Sequence, residues 1–120
     1  MKKIEVIIPP RDAGEVARAL AVEGVTGMTI SEVQGWGVRQ APMSAEQTPP
    51  GEIQVAAKMK VEMVVLANEA AAIMDRLADA LRASGLGPAK MFSSSVDGIV
   101  HTRSGTRDQQ ALAWRFVAGN

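Results

Sequence analysis

Hydrophobic and polar positions alternate from Lys3 to Ile8, with Ile4, Val6 and Ile8 on one side and Lys3 and Glu5 on the other. A two-residue period of this kind predicts a half-buried strand, which Pro9 and Pro10 end. Asp12 followed by Glu15 is the signature of a helix N-terminus, and the stripe Ala13, Val16, Ala17 and Leu20 predicts a first helix running to Gly24. Between Met28 and Val33 the β-branched residues predict a second strand. The clearest strand pattern sets Ile53, Val55, Ala57, Met59, Val61, Met63 and Val65 against Gln54, Lys58, Lys60 and Glu62. Asn68 is the expected cap of a second helix, in which Ile73, Leu77 and Leu81 recur beside Ala70 and Met74 until Gly85. A last strand is expected from Met91 to about Val100, weakened by Ser93, Ser94, Ser95 and Gly98.

The order strand, helix, strand, strand, helix, strand predicts an α+β chain with a ferredoxin-like βαββαβ arrangement. Two helices would cover one face of an antiparallel sheet. Ile7, Val33, Val64 and Leu66 make the strands apolar on their other side as well, which points to burial of that face between subunits. Pro42, Pro49 and Pro50 with little apolar content keep residues 38–51 out of the core, so a long mobile loop is expected there.

The 120 residues suit a single domain spanning the whole chain. Lysine plus arginine equals aspartate plus glutamate at 13 each, so the overall field gives no reason to expect nucleic acid as a partner. With no cysteine there is neither a disulfide nor a thiolate site, which suits a reducing compartment. No run approaches the ~20 apolar residues of a membrane span, so no direct membrane insertion is expected, and the cytoplasm is the default location. A single histidine, no tyrosine and no paired-carboxylate motif argue against an enzyme and against a metal site.

Several segments in order resemble the PII signal-transduction family. Met1-Lys2-Lys3-Ile4-Glu5 with Ile7-Ile8 and Pro10 looks like its opening strand, and Gly24-Val25-Thr26-Gly27-Met28-Thr29 its helix-to-strand turn. Val33-Gln34-Gly35-Trp36-Gly37 resembles the lead into the family's T-loop, Lys58, Lys60 and Glu62 the returning strand, and Lys90-Met91-Phe92 with Arg103 and Gly105 the last strand and its loop. The resemblance covers the chain to about Gly105.

It implies a homotrimer with a long mobile T-loop at residues 38–57, a B-loop at 83–90 and a C-loop at 101–108, followed by a tail at 110–120. It also implies that an adenine nucleotide (ATP, ADP or AMP) binds between neighbouring subunits and that the T-loop engages a transporter or enzyme. The implied nucleotide-binding residues are Thr29, Gly35, Trp36, Gly37, Val64, Gly87, Lys90, His101, Arg103 and Arg107. Arg39, Gln40 and Lys58 match positions that hold a second effector, with magnesium left open.

The residue types fit that chemistry, each beside a plainer role. Glycines let a backbone approach phosphate but also serve turns. Lys90, Arg103 and Arg107 sit at loop edges, where a cation either binds phosphate or is simply solvated. His101 replaces an arginine, so any phosphate contact there would be pH-sensitive, and a satisfied histidine at a strand end is the plain alternative. Lys58 and Lys60 lie one strand step apart on one side, either solvated or sharing a small anion such as bicarbonate. Leu112, Trp114, Phe116 and Val117 make the tail too apolar for a free end, so it packs on a subunit or anchors a partner.

The T-loop departs most from the family. Gly51 stands near the tyrosine that many relatives modify, Pro49 at the place of a modified serine, and Gln47 at that of an arginine that plugs ammonium channels. Control of inorganic-carbon metabolism, with bicarbonate as effector and a link to carboxysomes or bicarbonate transport, is therefore the favoured role. A classical nitrogen regulator sensing 2-oxoglutarate and ATP, and a trimeric metal-tolerance-type protein of similar fold, are the alternatives.

Overall fold

A computed structural model describes residues 1–38 and 52–112 of the chain. Four strands, β1 (Lys2–Ile8), β2 (Thr29–Val38), β3 (Ile53–Val65) and β4 (Lys90–Ser95), form one antiparallel sheet in the order β2-β3-β1-β4. Helices α1 (Ala13–Ala19) and α2 (Ala70–Ser84) cover one face, and a short α3 (Asp108–Leu112) closes the described chain. The strand order is that of the ferredoxin-like fold.

Register and burial sort the side chains. Ile4, Val6 and Ile8 on β1 and Met59, Val61, Met63 and Val65 on β3 are buried against Val16 and Leu20 of the first helical segment and Ile73, Leu77 and Leu81 of α2. Each apolar set lies at the period its element dictates, two in strands and about 3.6 in helices, so burial of one side is enough to select the element. The opposite face carries Ile7, Val33 and Val64, all half-buried in the subunit, and Phe92, which is 53% exposed.

Several boundaries differ from those expected. The first helix stops at Ala19 rather than Gly24, because Leu20 turns into the core and Val22 N–H closes back on the Leu20 carbonyl at 2.8 Å. Asn68 does not cap α2; it lies in a 3-10 turn (Ala67–Glu69), tied by Glu69 N–H to the Leu66 carbonyl at 3.0 Å, and α2 begins without a side-chain cap. The tight turn brings Ala70 directly under the sheet.

β2 does not stop at Val33 but runs on to Val38, and β3 begins at Ile53, so the expected loop at 38–57 is strand at both its ends. Residues 39–51 lie outside the described residues, and with them the expectation of a mobile loop there. β4 ends at Ser95, short of Val100, because its partner runs out: Ser95 pairs with Lys2, and the last tie is Val96 N–H to the Met1 carbonyl at 3.1 Å.

Gly24 has φ +97°, and a Cβ there would lie 2.7 Å from Ile73 Cδ1. Both backbone conformation and packing therefore demand glycine. Gly24→Ala is expected to cost about 1–3 kcal/mol and to lower the thermal midpoint by several degrees. Gly27→Ala, where nothing lies within 4 Å of the added Cβ, is the control that should change it little. Equal midpoints for the two variants would contradict this account.

Candidate ligand-binding face

The sheet face opposite the helices is built in rows that the register defines. Ser31, Lys60, Ile7 and Lys90 form one row from the β2 edge to the β4 edge, and Thr29, Glu62, Glu5 and Phe92 form the next. Val64 follows on β3 beside Lys3 and Ser94, and Lys58 lies on the other side of Lys60, opposite Val33. Thr29, Val64, Lys58 and Lys90, all expected at ligand sites, thus share this one face. So do the glycines Gly35 and Gly37.

Charges across the face are alternately paired. Lys3 Nζ lies 2.9 Å from Glu5 and 3.6 Å from Glu62, and Lys60 Nζ lies 3.5 Å from Glu62. The hydrogen bond from Lys3, more than the surrounding charges, holds the Glu5 carboxyl below its usual range, and the same bond raises the Lys3 ammonium. The Lys58 side chain has no hydrogen bond or ion pair among the described residues, and its stem leans over Gly35, where a Cβ would meet Lys58 Cγ at 3.1 Å. Gly35 therefore opens room for a cationic side chain.

Gly35 and Gly37 do not form a turn. Both lie in β2, an edge strand of the sheet, and pair with Ala56 and Gln54 of β3. Trp36 falls on the other side of that ribbon, opposite Val55, and the structure does not bring its ring together with Lys58, Val64 or Lys90. Trp36, Val55 and Ile53 are 71%, 63% and 64% exposed, an apolar strip beyond the reach of the helices.

The 83–90 loop leaves α2 through Gly85 at φ 70°, is anchored by the fully buried Leu86, and then runs exposed through Gly87 to Lys90. The segment after β4 folds into a small hairpin. Val100 bridges Arg107, His101 N–H donates to the Thr106 carbonyl at 2.8 Å, and Gly105 N–H to the His101 carbonyl at 2.7 Å. The Ser104 hydroxyl lies 3.4 Å from His101 Nδ1 and 2.9 Å from the Thr106 hydroxyl. Asp108, missed in the sequence, clamps the hairpin's base: its N–H donates to the Ile99 carbonyl at 3.0 Å and its carboxylate accepts from Ile99 N–H at 3.3 Å. Its backbone sits at φ 55°, which aspartate tolerates better than most residues. Helix α3 then crosses to the start of β2, where the Thr26 hydroxyl donates to the Leu112 carbonyl at 3.2 Å. Trp114, Phe116, Val117, Arg39, Gln40 and Gln47 lie outside the described residues.

One separation governs what this face can do. Lys90 begins β4, whereas His101, Arg103 and Arg107 follow its far end. The six residues of β4 span about 20 Å, and the hairpin follows the far end of that strand, where Val96 N–H is tied to the Met1 carbonyl. Thr29 stands on the other edge of the sheet, three strand spacings or roughly 14 Å from the β4 edge. The sheet of one subunit therefore does not gather these groups at one point. Among the described residues no group of three histidine, aspartate or glutamate side chains is placed to hold a metal ion, and no helix is long and apolar enough to cross a membrane.

Residues 1–106 match the family model described as Nitrogen regulatory protein P-II. The Nitrogen regulatory protein P-II of Synechocystis sp. is 36% identical over 93% of this chain and 100% of its own length. That of Klebsiella oxytoca is 30% identical over the same shares. Among solved structures, Bacillus subtilis GlnK aligns with a TM-score of 0.69 over 92% of this chain and 96% of its own, at 24% identity. The GlnK–ATP complex of the same species aligns at 0.70 and 24% identity, with equal coverage.

Proposed function

The chain belongs to the P-II family of regulatory proteins, and from that premise we propose that it binds an adenine nucleotide between neighbouring subunits of a homotrimer and signals through residues 38–57. P-II proteins are homotrimeric regulators. The observation that carries the reading is the separation of Lys90 from Arg103 along β4. A cleft between copies sets the Lys90 end of one subunit against the hairpin of the next and gathers cations from both. Lys90 and Arg103 then hold phosphate, Arg103 with two parallel hydrogen bonds, while Gly87 offers a backbone amide unhindered by a side chain. Val64 and Thr29 flank the base, and His101 and Arg107 border the phosphates. The solved ATP complex of a GlnK of this fold supports the choice of ligand.

Calorimetry with ATP, ADP and AMP tests the site. At least one should bind, and Arg103→Ala should weaken it about ten-fold or more, the cost of one charge-assisted phosphate contact. No heat with any of the three, or an unchanged affinity in the variant, would remove the proposal.

Within that class the chain is assigned to inorganic-carbon control in the cytoplasm, with bicarbonate or another small anion as second effector at Lys58. The support is the Lys58 side chain, whose stem leans over Gly35 and which has no ion pair among the described residues, together with a chain without tyrosine for covalent modification. Arg39 and Gln40 complete that effector site, and the 38–57 segment meets a transporter or enzyme. Linkage requires nucleotide and anion to raise each other's affinity by one factor. ADP titrations with bicarbonate and, separately, with 2-oxoglutarate decide it: coupling to 2-oxoglutarate alone would return the chain to nitrogen signalling.

A further inference from the structure

Arg11 stands where three parts of the chain meet. It follows Pro9-Pro10 and precedes Asp12, the cap of α1, whose carboxylate accepts from Glu15 N–H at 3.0 Å. Its backbone N–H donates to Met59 Sδ at 3.0 Å, one residue beyond Lys58 and at the last buried position of β3 before the exposed ribbon. Its guanidinium donates to the Gly85 carbonyl at 2.9 Å and lies 3.9 Å from the Glu15 carboxylate.

The Gly85 carbonyl lies at the C-terminal end of α2, where unpaired carbonyls concentrate negative potential and favour a cation. From there the chain enters the 85–90 loop, in which Leu86 is the one buried side chain. The loop is thus fixed at its root twice, by an apolar plug at Leu86 and by a polar hook from Arg11. Gly85 and Gly87 on either side of the plug have no side chains to limit their backbone angles. Without the hook the exposed residues from Gly87 to Ala89, which lead into Lys90 at the start of β4, would sample many more arrangements.

We infer that Arg11 is a positioning residue that holds the 85–90 loop in the geometry presenting Gly87 and Lys90 to an anionic ligand, an inference that rests on the nucleotide reading above. Arg11 itself touches no ligand. Its effect runs through preorganisation: a loop that is competent only part of the time lowers apparent affinity by that fraction. Its backbone bond to Met59 also joins the loop's anchor to the strand that carries Lys58.

The full-length chain and its Arg11→Ala and Arg11→Lys variants test this by amide exchange in the free protein and by ATP calorimetry. Arg11 is 40% exposed in its side chain, so both variants are expected to fold with nearly the wild-type thermal midpoint and the same assembled mass. Arg11→Ala should speed exchange at Leu86, Gly87, Ala89 and Lys90 and weaken ATP about five-fold. Arg11→Lys, with one donor still able to reach the carbonyl, should recover part of both. Unchanged exchange in Arg11→Ala would overturn the inference, as would faster exchange with undiminished ATP affinity. If the wild-type chain binds no ATP, the nucleotide reading fails instead, and exchange alone still decides whether Arg11 holds the loop.

Discussion

Truncation of Leu77 to alanine is expected to destabilise the protein by about 3 kcal/mol, within the 2–5 kcal/mol range for buried leucines. Leu77 is fully buried at the centre of α2, flanked one turn away on either side by the buried Ile73 and Leu81. The helix is pinned on the core side by the buried Ala70, Ile73 and Leu81, so it cannot collapse into the space left by the lost isobutyl group, and the cavity cost adds to the transfer cost. Met74, half-buried on the same helix, provides a comparison: Met74→Ala should cost clearly less. Urea unfolding at one fixed protein concentration measures both, because assembly would make apparent stability depend on concentration. A shift in midpoint at constant slope is expected for Leu77→Ala. A loss below 1 kcal/mol would mean that α2 is not the cover of this core.

Mixing two defective variants should restore nucleotide binding that neither has alone. If each cleft takes Lys90 from one subunit and Arg103 from its neighbour, an all-Lys90→Ala assembly lacks one phosphate contact everywhere, and an all-Arg103→Ala assembly lacks the other. Each is expected to bind ATP about ten-fold or more weakly than wild type. After unfolding and refolding together in equal amounts, random assembly leaves roughly one cleft in four with both residues intact, if closed symmetry makes all clefts equivalent. Titration should then show a minority class of sites with wild-type affinity. Its absence, with both variants shown to co-assemble, would place Lys90 and Arg103 in different sites. That experiment is informative because β4 separates the two residues within one chain.

Much of this was legible in the sequence, for a local reason. Periodicity reports which side of an element is buried, and the alternations Ile4-Val6-Ile8 and Met59-Val61-Met63-Val65 and the stripe Ile73-Leu77-Leu81 all became core. The resemblance to the family was carried by several motifs in order, among them Gly24-Val25-Thr26-Gly27-Met28-Thr29, Val33-Gln34-Gly35-Trp36-Gly37 and Lys90-Met91-Phe92. Boundaries were less legible, since they depend on partners distant in sequence. β4 ends where β1 runs out, and the first helix ends where Leu20 meets the core.

The sequence by itself determined the order of elements and the side of each that meets the core, because these follow from side-chain periodicity and type along a contiguous stretch. The family came from the resemblance of several motifs in order, and Ile53 and Val55 kept the alternation of β3 yet stayed exposed. The tertiary structure decided which candidate residues can meet. It placed Gly35 and Gly37 in a strand ladder, turned Trp36 away from Lys58, hooked Arg11 onto Gly85, and set Lys90 and the Arg103 hairpin at opposite ends of β4. Such relations are fixed by strand register and by the path of the chain between strands, and no local run of residues encodes a distance between two loops that are joined only through the sheet.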